Sequence, residues 1–465
     1  MSTVDLALAP DSAPSRRLSI PRLVLLSLYW VAIGYLWNSI GAQVLPPLVR
    51  GFVGQAHEGT ALAVLESTGT LIAVVWQPMM GALSDRTSLR WGRRRPYISA
   101  GAVGSAVFLV LMASVGSFFW LWVFYFGLQL ASNTAQGPYQ GLLPDVVPER
   151  EFGKASAFYG LGNLVGTLIG FLVVGVFASH GRYDLALYSM AVLLLATMLL
   201  TVTLVPDRAK PARTLRMRFS EVVVGTFKIS PRRHGSFLWL MLSRLLILMG
   251  VVGLETFSNF FFKDVFYPGS GTALTNAANA ATTYLLAIIV LFALLVSYPA
   301  ARLSDRIGRK PIVAACGVVG AVGTLALIFA HYTLLPGAVT SPIASLLHVP
   351  VGLAQVLCFG VLIGVATGAF LSVDWAFTVD IIPRAEAGRF LGFANIATAG
   401  SGIIARFIAG PALDHFNAGA PILGILGGYP VVFGVFFVFF IGGSCAVLPV
   451  RERRGAATAA TLSGS

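Results

Sequence analysis

Twelve uninterrupted apolar stretches, each of about 20 residues or more, dominate the sequence and limit its fold to one class. A helix of that length crosses a hydrocarbon core of about 30 Å with its backbone groups satisfied internally. The mean hydropathy is +0.81 and only 11% of the residues are charged, which excludes an ordinary soluble enzyme. We therefore predict an all-α membrane protein with twelve transmembrane helices. The predicted spans lie near residues 22-49, 60-83, 97-116, 119-143, 154-179, 184-205, 236-262, 278-301, 312-332, 350-379, 389-412 and 427-449.

The basic residues predict how these spans are oriented. An even number of spans places both termini on one side, and nearly all of the 32 Lys and Arg residues fall in loops on that side. The exceptions are Arg50, Arg182 and Lys263 on the opposite side, and Arg244 and Arg406 inside spans. Both termini are therefore predicted to be cytoplasmic. The net charge of +13 is then a topology signal, and no nucleic-acid partner is expected.

The loops predict a division of the chain into two halves. The connection between spans six and seven holds eight Lys and Arg residues and is expected to lie against anionic lipid headgroups. Short loops without an Asn-x-Ser/Thr sequence favour a bacterial cytoplasmic membrane. The predicted units are a cytoplasmic tail (1-21), a six-helix bundle (22-205), the basic linker (206-235), a second six-helix bundle (236-449) and a second tail (450-465).

An internal repeat supports this division. Leu-Ser-Asp-Arg at residues 83–86 recurs at residues 303–306, an offset of 220. Asp-Val-Val-Pro at residues 145–148 corresponds to Asp-Ile-Ile-Pro at residues 380–383, an offset of 235. Two matches in the same order at equivalent loops indicate homologous halves of parallel topology, a common construction of secondary transporters.

The first copy of the repeated loop carries a family resemblance. The loop resembles the signature of the major facilitator superfamily through Gly81, Asp85, Arg86, Gly92, Arg93 and Arg94. Its long gap between Asp85-Arg86 and Gly92 resembles the sucrose transporter and glycoside-cation symporter branch, as does the sequence Asn-Thr-Ala-Gln-Gly-Pro at residues 133–138. The resemblance implies two six-helix bundles that rock about a central cavity and move a solute by alternating access.

The charged loop residues are predicted to act as gating residues at the cytoplasmic side. An Asp at a helix end can pair with the N-terminus of a neighbouring helix, and clustered arginines hold carboxylates. The alternative for the basic residues is simple retention of the loops in the cytoplasm. The predicted gating residues are Asp85, Arg86, Arg93, Arg94, Asp145, Asp305, Arg306, Arg309 and Asp380.

Charges at membrane depth are costly, so each is a candidate for ion coupling. The candidates are Glu66, Arg244, Glu255, Asp374 and Arg406. Arg244 and Glu255 are 11 residues apart, close to three helical turns, so they share a face but cannot touch. Asp374 is the favoured coupling carboxylate, and Arg406 is expected to neutralise one of the acids. The alternative for each residue is a structural ion pair or hydrogen bond.

The fourth span carries a polar stripe. Gln129, Asn133, Gln136 and Gln140 stand at i, i+4, i+7 and i+11, on one narrow helical face. Amides both donate and accept hydrogen bonds, which suits a neutral, hydroxyl-rich solute; the alternative is hydrogen bonding between helices. Further predicted lining residues are Asn38, Gln43, Gln77, Asn259 and Asn395, with Trp375 available to stack on a sugar ring.

These observations predict a secondary transporter of a small neutral polar solute, with a sugar or glycoside favoured and protons or sodium as the driving ion. The chain departs from the sucrose transporter pattern, which has an acid at the position of Gln129 and an arginine at that of Gln140. The alternatives are a proton-coupled exporter of amphipathic compounds and a non-transporting solute sensor. Cys316, Cys358 and Cys445 lie in apolar runs, so no metal site is expected. Neither a cofactor nor an enzymatic activity is expected, and we predict a monomer.

Overall fold

The computed structural model describes residues 19–87, 89–148, 151–205, 233–329, 332–382 and 387–452. These residues are overwhelmingly α-helical, with two isolated β-bridges in loops. Most of the predicted linker, residues 206–232, and most of both predicted tails lie outside the described residues. The all-α prediction is confirmed for the described chain.

Among the described residues, six long helices precede the linker and six follow it. Those of the first half are α1 (Ile20–Val53), α2 (Glu58–Asp85), α3 (Arg95–Met112), α4 (Phe118–Val146), α5 (Phe152–Ser179) and α6 (Tyr183–Leu204). Those of the second half are α7 (Gly235–Phe266), α8 (Thr272–Ile307), α9 (Arg309–Ile328), α11 (Val351–Ile381), α12 (Ala387–Asn417) and α13 (Gly428–Ala446). A short helix that was not predicted from the sequence, α10 (Gly337–Leu347), lies between α9 and α11.

Eleven helices of the described chain are long and apolar enough to cross a membrane. They are all of the long helices except α4, whose amide, tyrosine and tryptophan side chains make it less apolar than the others. The chain is thus a multi-pass membrane protein, whereas the twelfth span and the cytoplasmic position of the termini stay predictions.

The helices pack into two bundles. In the first bundle α1 packs against α5 and α6, α2 against α4, and α3 against α4 and α6. In the second, α7 packs against α12 and α13, α8 against α11, and α9 against α11 and α13. The bundles meet along two seams, α2 with α12 and α5 with α8. The space between these seams is where a central cavity can form.

Glycines bring helix backbones together within the bundles. A Cβ on Gly166 of α5 would lie 2.0 Å from the backbone oxygen of Val31 in α1. A Cβ on Gly34 of α1 would lie 2.2 Å from the backbone oxygen of Asn163 in α5. Small residues at such crossings permit the close packing that holds helices together in lipid.

Two corresponding helices contain a wider π-helical turn. The turn lies at Ile40–Val44 in α1 and at Phe262–Phe266 in α7. Pro46 and Pro47 follow the first turn and Pro268 follows the second. Because proline has no backbone N–H, it cannot continue the regular hydrogen-bond ladder, and a π turn accommodates the missing donor.

The two ends of the molecule carry different charged residues. Successive long helices run in opposite directions, so Asp85, Asp145, Asp305 and Asp380 lie at one end, hereafter the Asp85 end. Arg50 at the end of α1 lies at the other, hereafter the Arg50 end. The sequence predicts that the Asp85 end faces the cytoplasm.

Candidate functional site

A cavity of about 340 Å³ lies between the two bundles. Helices α1, α2 and α4 of the first bundle and α7 and α12 of the second line it, so any movement between the bundles changes its shape. Its volume is typical of a small-molecule site. The lining residues are Trp37, Asn38, Gly41, Ala42, Glu66, Thr70, Ala73, Gln77, Tyr125, Gln129, Asn133, Gln136, Val252, Glu255, Thr256 and Arg406.

Three of the four predicted stripe residues line the cavity. The Gln129 amide donates to the Tyr125 hydroxyl at 3.0 Å, and Asn133 Nδ2 donates to Gln129 Oε1 at 3.2 Å. Gln136 donates to a serine one turn earlier on α4, Ser132, at 2.9 Å. These bonds between neighbours fix the amide orientations. The fourth member of the stripe, Gln140, is exposed and lies outside the lining.

The other predicted polar residues divide between the cavity and the helix contacts. Asn38 and Gln77 line the cavity, and Asn38 donates to Thr167 Oγ1 at 2.8 Å. Gln43 lies outside the lining and donates to the Phe171 carbonyl oxygen at 3.0 Å.

Two further amides also lie away from the cavity lining. Asn259 is buried and donates to Asn279 Oδ1 at 2.9 Å, which joins α7 to α8. Asn395 is exposed on α12. The structure therefore brings five of the predicted amide residues together around the cavity and places Gln43, Gln140, Asn259 and Asn395 elsewhere.

The cavity contains charges from both bundles. Arg406 Nη2 of α12 lies 2.6 Å from Glu66 Oε2 of α2, an ion pair across one seam. Arg406 also donates to Thr256 Oγ1 at 3.4 Å. Glu255 of α7 lines the same cavity and interacts electrostatically with both Arg406 and Glu66. Within the part of the chain that the structure describes, two carboxyl groups thus share one guanidinium group, and one carboxyl has no cation of its own.

The remaining predicted coupling residues form a separate pair inside the second bundle. Arg244 Nη1 lies 2.9 Å from Asp374 Oδ2, and Arg244 Nε donates to Thr398 Oγ1 at 3.0 Å. The Arg244 guanidinium also lies 5.5 Å from the centre of the Trp375 ring, a cation–π contact. Neither Arg244, Asp374 nor Trp375 belongs to the cavity lining. Arg244 and Glu255 share α7 without sharing a partner.

The predicted gating residues form ion pairs within their own bundle. Arg94 lies 2.5 Å from Asp85 and 3.1 Å from Asp145, and Arg93 lies 2.5 Å from Asp145. These pairs tie together the Asp85-end termini of α2, α3 and α4. Arg86 is exposed and outside the described ion pairs.

The second copy of the repeat reproduces this arrangement with fewer arginines. Arg309 lies 3.0 Å from Asp380 and 4.0 Å from Asp305. Arg306 is exposed, like Arg86. Among the described ion pairs, Arg309 therefore does in the second bundle what Arg93 and Arg94 do in the first.

Sequence reasoning missed the charged residues that join the bundles at the Arg50 end. Arg50 of α1 forms an ion pair with Asp264 of α7, and Tyr429 of α13 donates to Asp264 Oδ2 at 2.5 Å. Asp414 of α12 accepts hydrogen bonds from the backbone N–H groups of Gly59 and Thr60 at 2.9 and 2.8 Å. Arg50 stood out in the sequence only as an exception to the charge distribution.

Sequence reasoning also missed several lining residues of the cavity. Thr70 and Thr256 are common residues in membrane helices and carried no signal. Tyr125 could have been predicted from the sequence, because it precedes Gln129 by four residues and extends the polar stripe by one turn. The described residues contain no group of three or more His, Cys, Asp or Glu side chains that could hold a metal ion.

Solved structures with the same arrangement of helices are transporters. The nucleoside transporter NupG matches with a TM-score of 0.67 and 15% identity, covering 93% of this chain and 99% of that one. The D-xylose-proton symporter matches with a TM-score of 0.61 and 17% identity, covering 92% and 95%. At these identities the likeness shows the fold alone.

Similar sequences include both sucrose transport proteins and tetracycline resistance proteins. The sucrose transport protein SUC4 of Arabidopsis thaliana is 28% identical over 187 residues, 35% of this chain and 36% of that protein. The class E tetracycline resistance protein of Escherichia coli is 31% identical over 155 residues, 32% of this chain and 36% of that protein. The chain thus matches about a third of the length of each relative.

The sequence model of the Major Facilitator Superfamily matches residues 27–406, which is most of the chain. The match and the sucrose transport relatives confirm the resemblance seen in the repeated loop and in residues 133–138. A cavity between two helix bundles, with charges from both bundles in it, is consistent with this family. The chain belongs to the Major Facilitator Superfamily.

Proposed function

We propose that this protein is a secondary active transporter that carries a small neutral polar solute, with a sugar or glycoside favoured, through the cavity between its bundles. The observation that carries the proposal is the lining itself: amides of α1, α2 and α4 face charges of α2, α7 and α12 across one cavity. Both bundles contribute to the lining, the first through its amides and Glu66 and the second through Glu255 and Arg406. A relative movement of the bundles would therefore bind or release a solute held between them.

The contacts between bundles support alternating access. At the Arg50 end, the pair of Arg50 with Asp264 and the bonds of Asp414 to α2 join the bundles. At the Asp85 end, the described ion pairs of Arg94 and Arg309 join helices of the same bundle. The described polar contacts therefore hold this form closed at the Arg50 end, and opening there requires that these contacts and the close approach of Gly59 to Gly410 separate.

The lining chemistry supports a hydroxyl-rich neutral solute. The amide nitrogens of Asn133 and Gln136 donate to neighbours on α4, which leaves the amide oxygens as acceptors for solute hydroxyls, and Gln77 adds a further amide to the lining. Each hydrogen bond to a solute hydroxyl contributes about 1 kcal/mol. Trp37 supplies an aromatic surface in the same cavity, suited to the apolar face of a sugar ring.

The shared guanidinium group supports coupling to a cation. Glu66 and Glu255 face one Arg406, so the cavity carries one unbalanced carboxylate when both acids are ionised. A proton or a sodium ion would restore neutrality inside a poorly solvated cavity. Asp374, the carboxylate favoured by the sequence, stays a second candidate because its pair with Arg244 leaves Oδ1 without a hydrogen bond within the described residues.

The test is solute uptake into proteoliposomes under an imposed pH or sodium gradient, with a panel of sugars and glycosides. We expect accumulation driven by one of the two gradients. Glu255→Gln should abolish accumulation but preserve exchange of labelled for unlabelled solute, because binding persists without the coupling ion. Asp374→Asn makes the same acid-to-amide change at Asp374, the second candidate for the coupling carboxylate, and is the matched variant. Absence of gradient-driven uptake of every solute in the panel would overturn the proposal.

The second candidate function is a proton-coupled exporter of amphipathic compounds. The similarity to tetracycline resistance proteins of several classes, 30 to 33% identical over about a third of the chain, supports it. The same proteoliposomes distinguish the two functions. Net movement of an amphipathic drug against its gradient, with no uptake of sugars, would select the exporter.

The orientation is part of the proposal. The skewed distribution of Lys and Arg supports an Asp85 end that faces the cytoplasm of a bacterial cell. Two exposed positions test it, Gln55 at the Arg50 end and Arg86 at the Asp85 end. A cysteine at position 55 should react with an impermeant reagent added to whole cells, and a cysteine at position 86 should not.

A further inference from the structure

At the Arg50 end, two carboxyl groups share one guanidinium group. Arg50 Nη2 pairs with Asp264 Oδ1, and Arg50 Nε lies 3.3 Å from Glu58 Oε2. Asp264 receives a second donor, the Tyr429 hydroxyl, at 2.5 Å. Asp264 is thus held by two donors, whereas Glu58 has the longer contact with Arg50 alone.

Glu58 is the carboxyl group with the fewest polar partners in this arrangement. Its side chain is 0% exposed, and neither of its oxygens has a hydrogen bond within the described residues. An ionised carboxylate that is buried without hydrogen bonds is strongly disfavoured, since nothing replaces its lost hydration. A protonated Glu58 removes that cost and leaves Arg50 in a one-to-one pair with Asp264.

The balance of charges on the surrounding helices also favours the binding of one proton. Two cations, Arg50 of α1 and Lys263 of α7, accompany three carboxyl groups, namely Glu58, Asp264 and Asp414 of α12. Tyr429 of α13 is the remaining polar neighbour, and His57 lies in the exposed turn before α2. Neutrality of the cluster therefore requires one added proton.

The other members of the cluster already have hydrogen-bond partners. The Lys263 ammonium donates to the carbonyl oxygens of Tyr267 and Gly269 at 2.9 and 2.7 Å. Asp414 accepts two backbone N–H groups at the start of α2, where the helix dipole also favours an anion. Glu58 is consequently the carboxyl group that would hold the proton.

The distribution of this cluster between bundles connects the proton to movement. Arg50 and Glu58 belong to the first bundle, whereas Asp264 belongs to the second. Separation of the bundles at this end breaks the pair of Arg50 with Asp264 and preserves the contact of Arg50 with Glu58. In the open form water enters, and an ionised Glu58 becomes the partner of Arg50.

Protons can reach this cluster from the Arg50 side. A second cavity, of about 710 Å³, lies at this end between α1, α7 and α8. Arg50, Lys263 and Asp264 contribute to its lining, along with exposed loop residues such as Gln55 and Ser270. Glu58 lies directly behind Arg50, one side chain away from this cavity.

We propose that Glu58 is a proton-binding residue of the gate at the Arg50 end. When this end closes, the Glu58 carboxylate takes one proton and the Arg50 guanidinium, still beside Glu58, gains Asp264 as its ionic partner; opening reverses both changes. The proton is bound in the closed form, so lower pH favours closure and higher pH favours opening. The inference rests on the alternating-access transport proposed above and adds a gate regulated by pH on the Arg50 side.

Spin labels across the gate test this proposal. Cysteines replace Gln55 of the first bundle and Ser270 of the second, in protein in which Cys316, Cys358 and Cys445 are replaced by alanine. Pulsed electron paramagnetic resonance then gives the distance distribution between the labels in nanodiscs, from about pH 8 to about pH 5. With Glu58 present, the short-distance population should grow as the pH falls. Glu58→Gln, which resembles the protonated acid, should keep the short distance at every pH.

The matched control removes the neighbouring carboxylate. Asp414→Asn weakens the closed form and removes one negative charge near Glu58, but it keeps the proposed proton site. It should therefore raise the long-distance population at every pH and keep a pH response that is displaced to lower pH. An unchanged pH response in Glu58→Gln would overturn the proposal, as would loss of the response in Asp414→Asn alone. Melting temperatures of both variants show whether each is folded.

The outcome is independent of whether a solute has been identified, because the distances are measured without one. A pH response that depends on Glu58, in a protein that accumulates no solute, would refute the proposed transport function and leave the gate. Gradient-driven accumulation with a pH response that ignores Glu58 would refute the gate and leave the transport function.

Discussion

At the Asp85 end the described ion pairs join helices of the same bundle, whereas at the Arg50 end the buried pair of Arg50 and Asp264 joins one bundle to the other. The first kind of pair keeps its geometry when the bundles move as rigid bodies. The second must break each time that end opens. We therefore expect the two charge networks to act differently. The ion pairs at the Asp85 end stabilise each bundle, whereas the pair at the Arg50 end selects the conformation in which that end is closed.

The seam between α2 and α12 also contains two different kinds of contact, one at the Arg50 end and one deeper in the membrane. At the Arg50 end Gly59 and Gly410 touch, and deeper in the membrane Glu66 pairs with Arg406. The contact of Gly59 with Gly410 is steric and short-ranged, and the pair of Glu66 with Arg406 is electrostatic and lies in the cavity between the bundles. We expect the first to set how tightly the bundles close and the second to respond to what the cavity contains.

Removal of Arg94 tests the stabilising role of the Asp85 end. Arg94→Ala deletes the pairs with Asp85 and Asp145 and the bond to Ser84, and should lower the free energy of unfolding by about 3 kcal/mol. The readout is the melting temperature in detergent. Arg86→Ala, an exposed arginine of the same loop, is the control and should change stability by less than about 0.5 kcal/mol. If Arg94→Ala changed the distance between the bundles and left the stability normal, the ion pairs at the Asp85 end would select a conformation and not stabilise the bundle.

A methyl group in the glycine contact tests the steric part of the seam. A Cβ on Gly59 would lie 2.5 Å from the backbone oxygen of Gly410, so Gly59→Ala should destabilise the closed Arg50 end by about 2 kcal/mol. Labels at positions 55 and 270 should then report longer distances. Gly51→Ala is the matched control, because its Cβ would meet nothing within 4 Å. Equal distances in the two variants would mean that the seam relaxes without opening.

Neutralising Asp264 tests the electrostatic part. Asp264→Asn weakens the pair that crosses between the bundles and should shift the equilibrium toward the open Arg50 end about tenfold, or about 1.4 kcal/mol. The same label pair measures the shift. Asp184→Asn removes an exposed pair with Arg182 inside the first bundle and should leave the distances unchanged. A similar shift in both variants would show that net charge, and not the crossing pair, controls the gate.

The smallest expected change concerns the cavity between the two ends. Asn133→Ala should weaken binding of the transported solute by about fivefold, or about 1 kcal/mol, through loss of hydrogen bonds. Titration calorimetry with the solute found in the uptake screen measures this. Gln140→Ala, one turn beyond Gln136 and outside the lining, is the control and should bind normally. Equal losses in both would indicate that the whole polar stripe contacts the solute.

Helices, repeat and family could be predicted from the sequence because each leaves a local or periodic signal. The stripe of Gln129, Asn133 and Gln136 was recognisable for the same reason, since helical spacing alone aligns it. The partners of these helices carried no such signal. That Arg406 would face Glu66 while Arg244 faced Asp374 depends on which helices adjoin across the seams, and spacing along the chain does not encode this.

Arg50, Asp264 and Asp414 illustrate the same limit. Each stands near the end of an apolar stretch, where charged residues are ordinary. The contacts by which they join the bundles, Arg50 with Asp264 and Asp414 with Gly59, link residues more than 200 apart in sequence. Their importance follows from the meeting of two bundles and not from any motif. The Asp85 loop was noticed because it occurs twice, whereas the Arg50 end has no copy in the sequence.

The bond of Asp414 to the first N–H groups of α2 means that one half of the molecule completes a helix of the other. When the Arg50 end opens, Gly59 and Thr60 lose this acceptor and must turn to water. The first turn of α2 then frays more readily, and its amide protons should exchange with solvent at a rate set by how often the gate opens. The hydrogen-exchange rate of these two amides should therefore report how often the Arg50 end opens, and it can be measured without spin labels or solute.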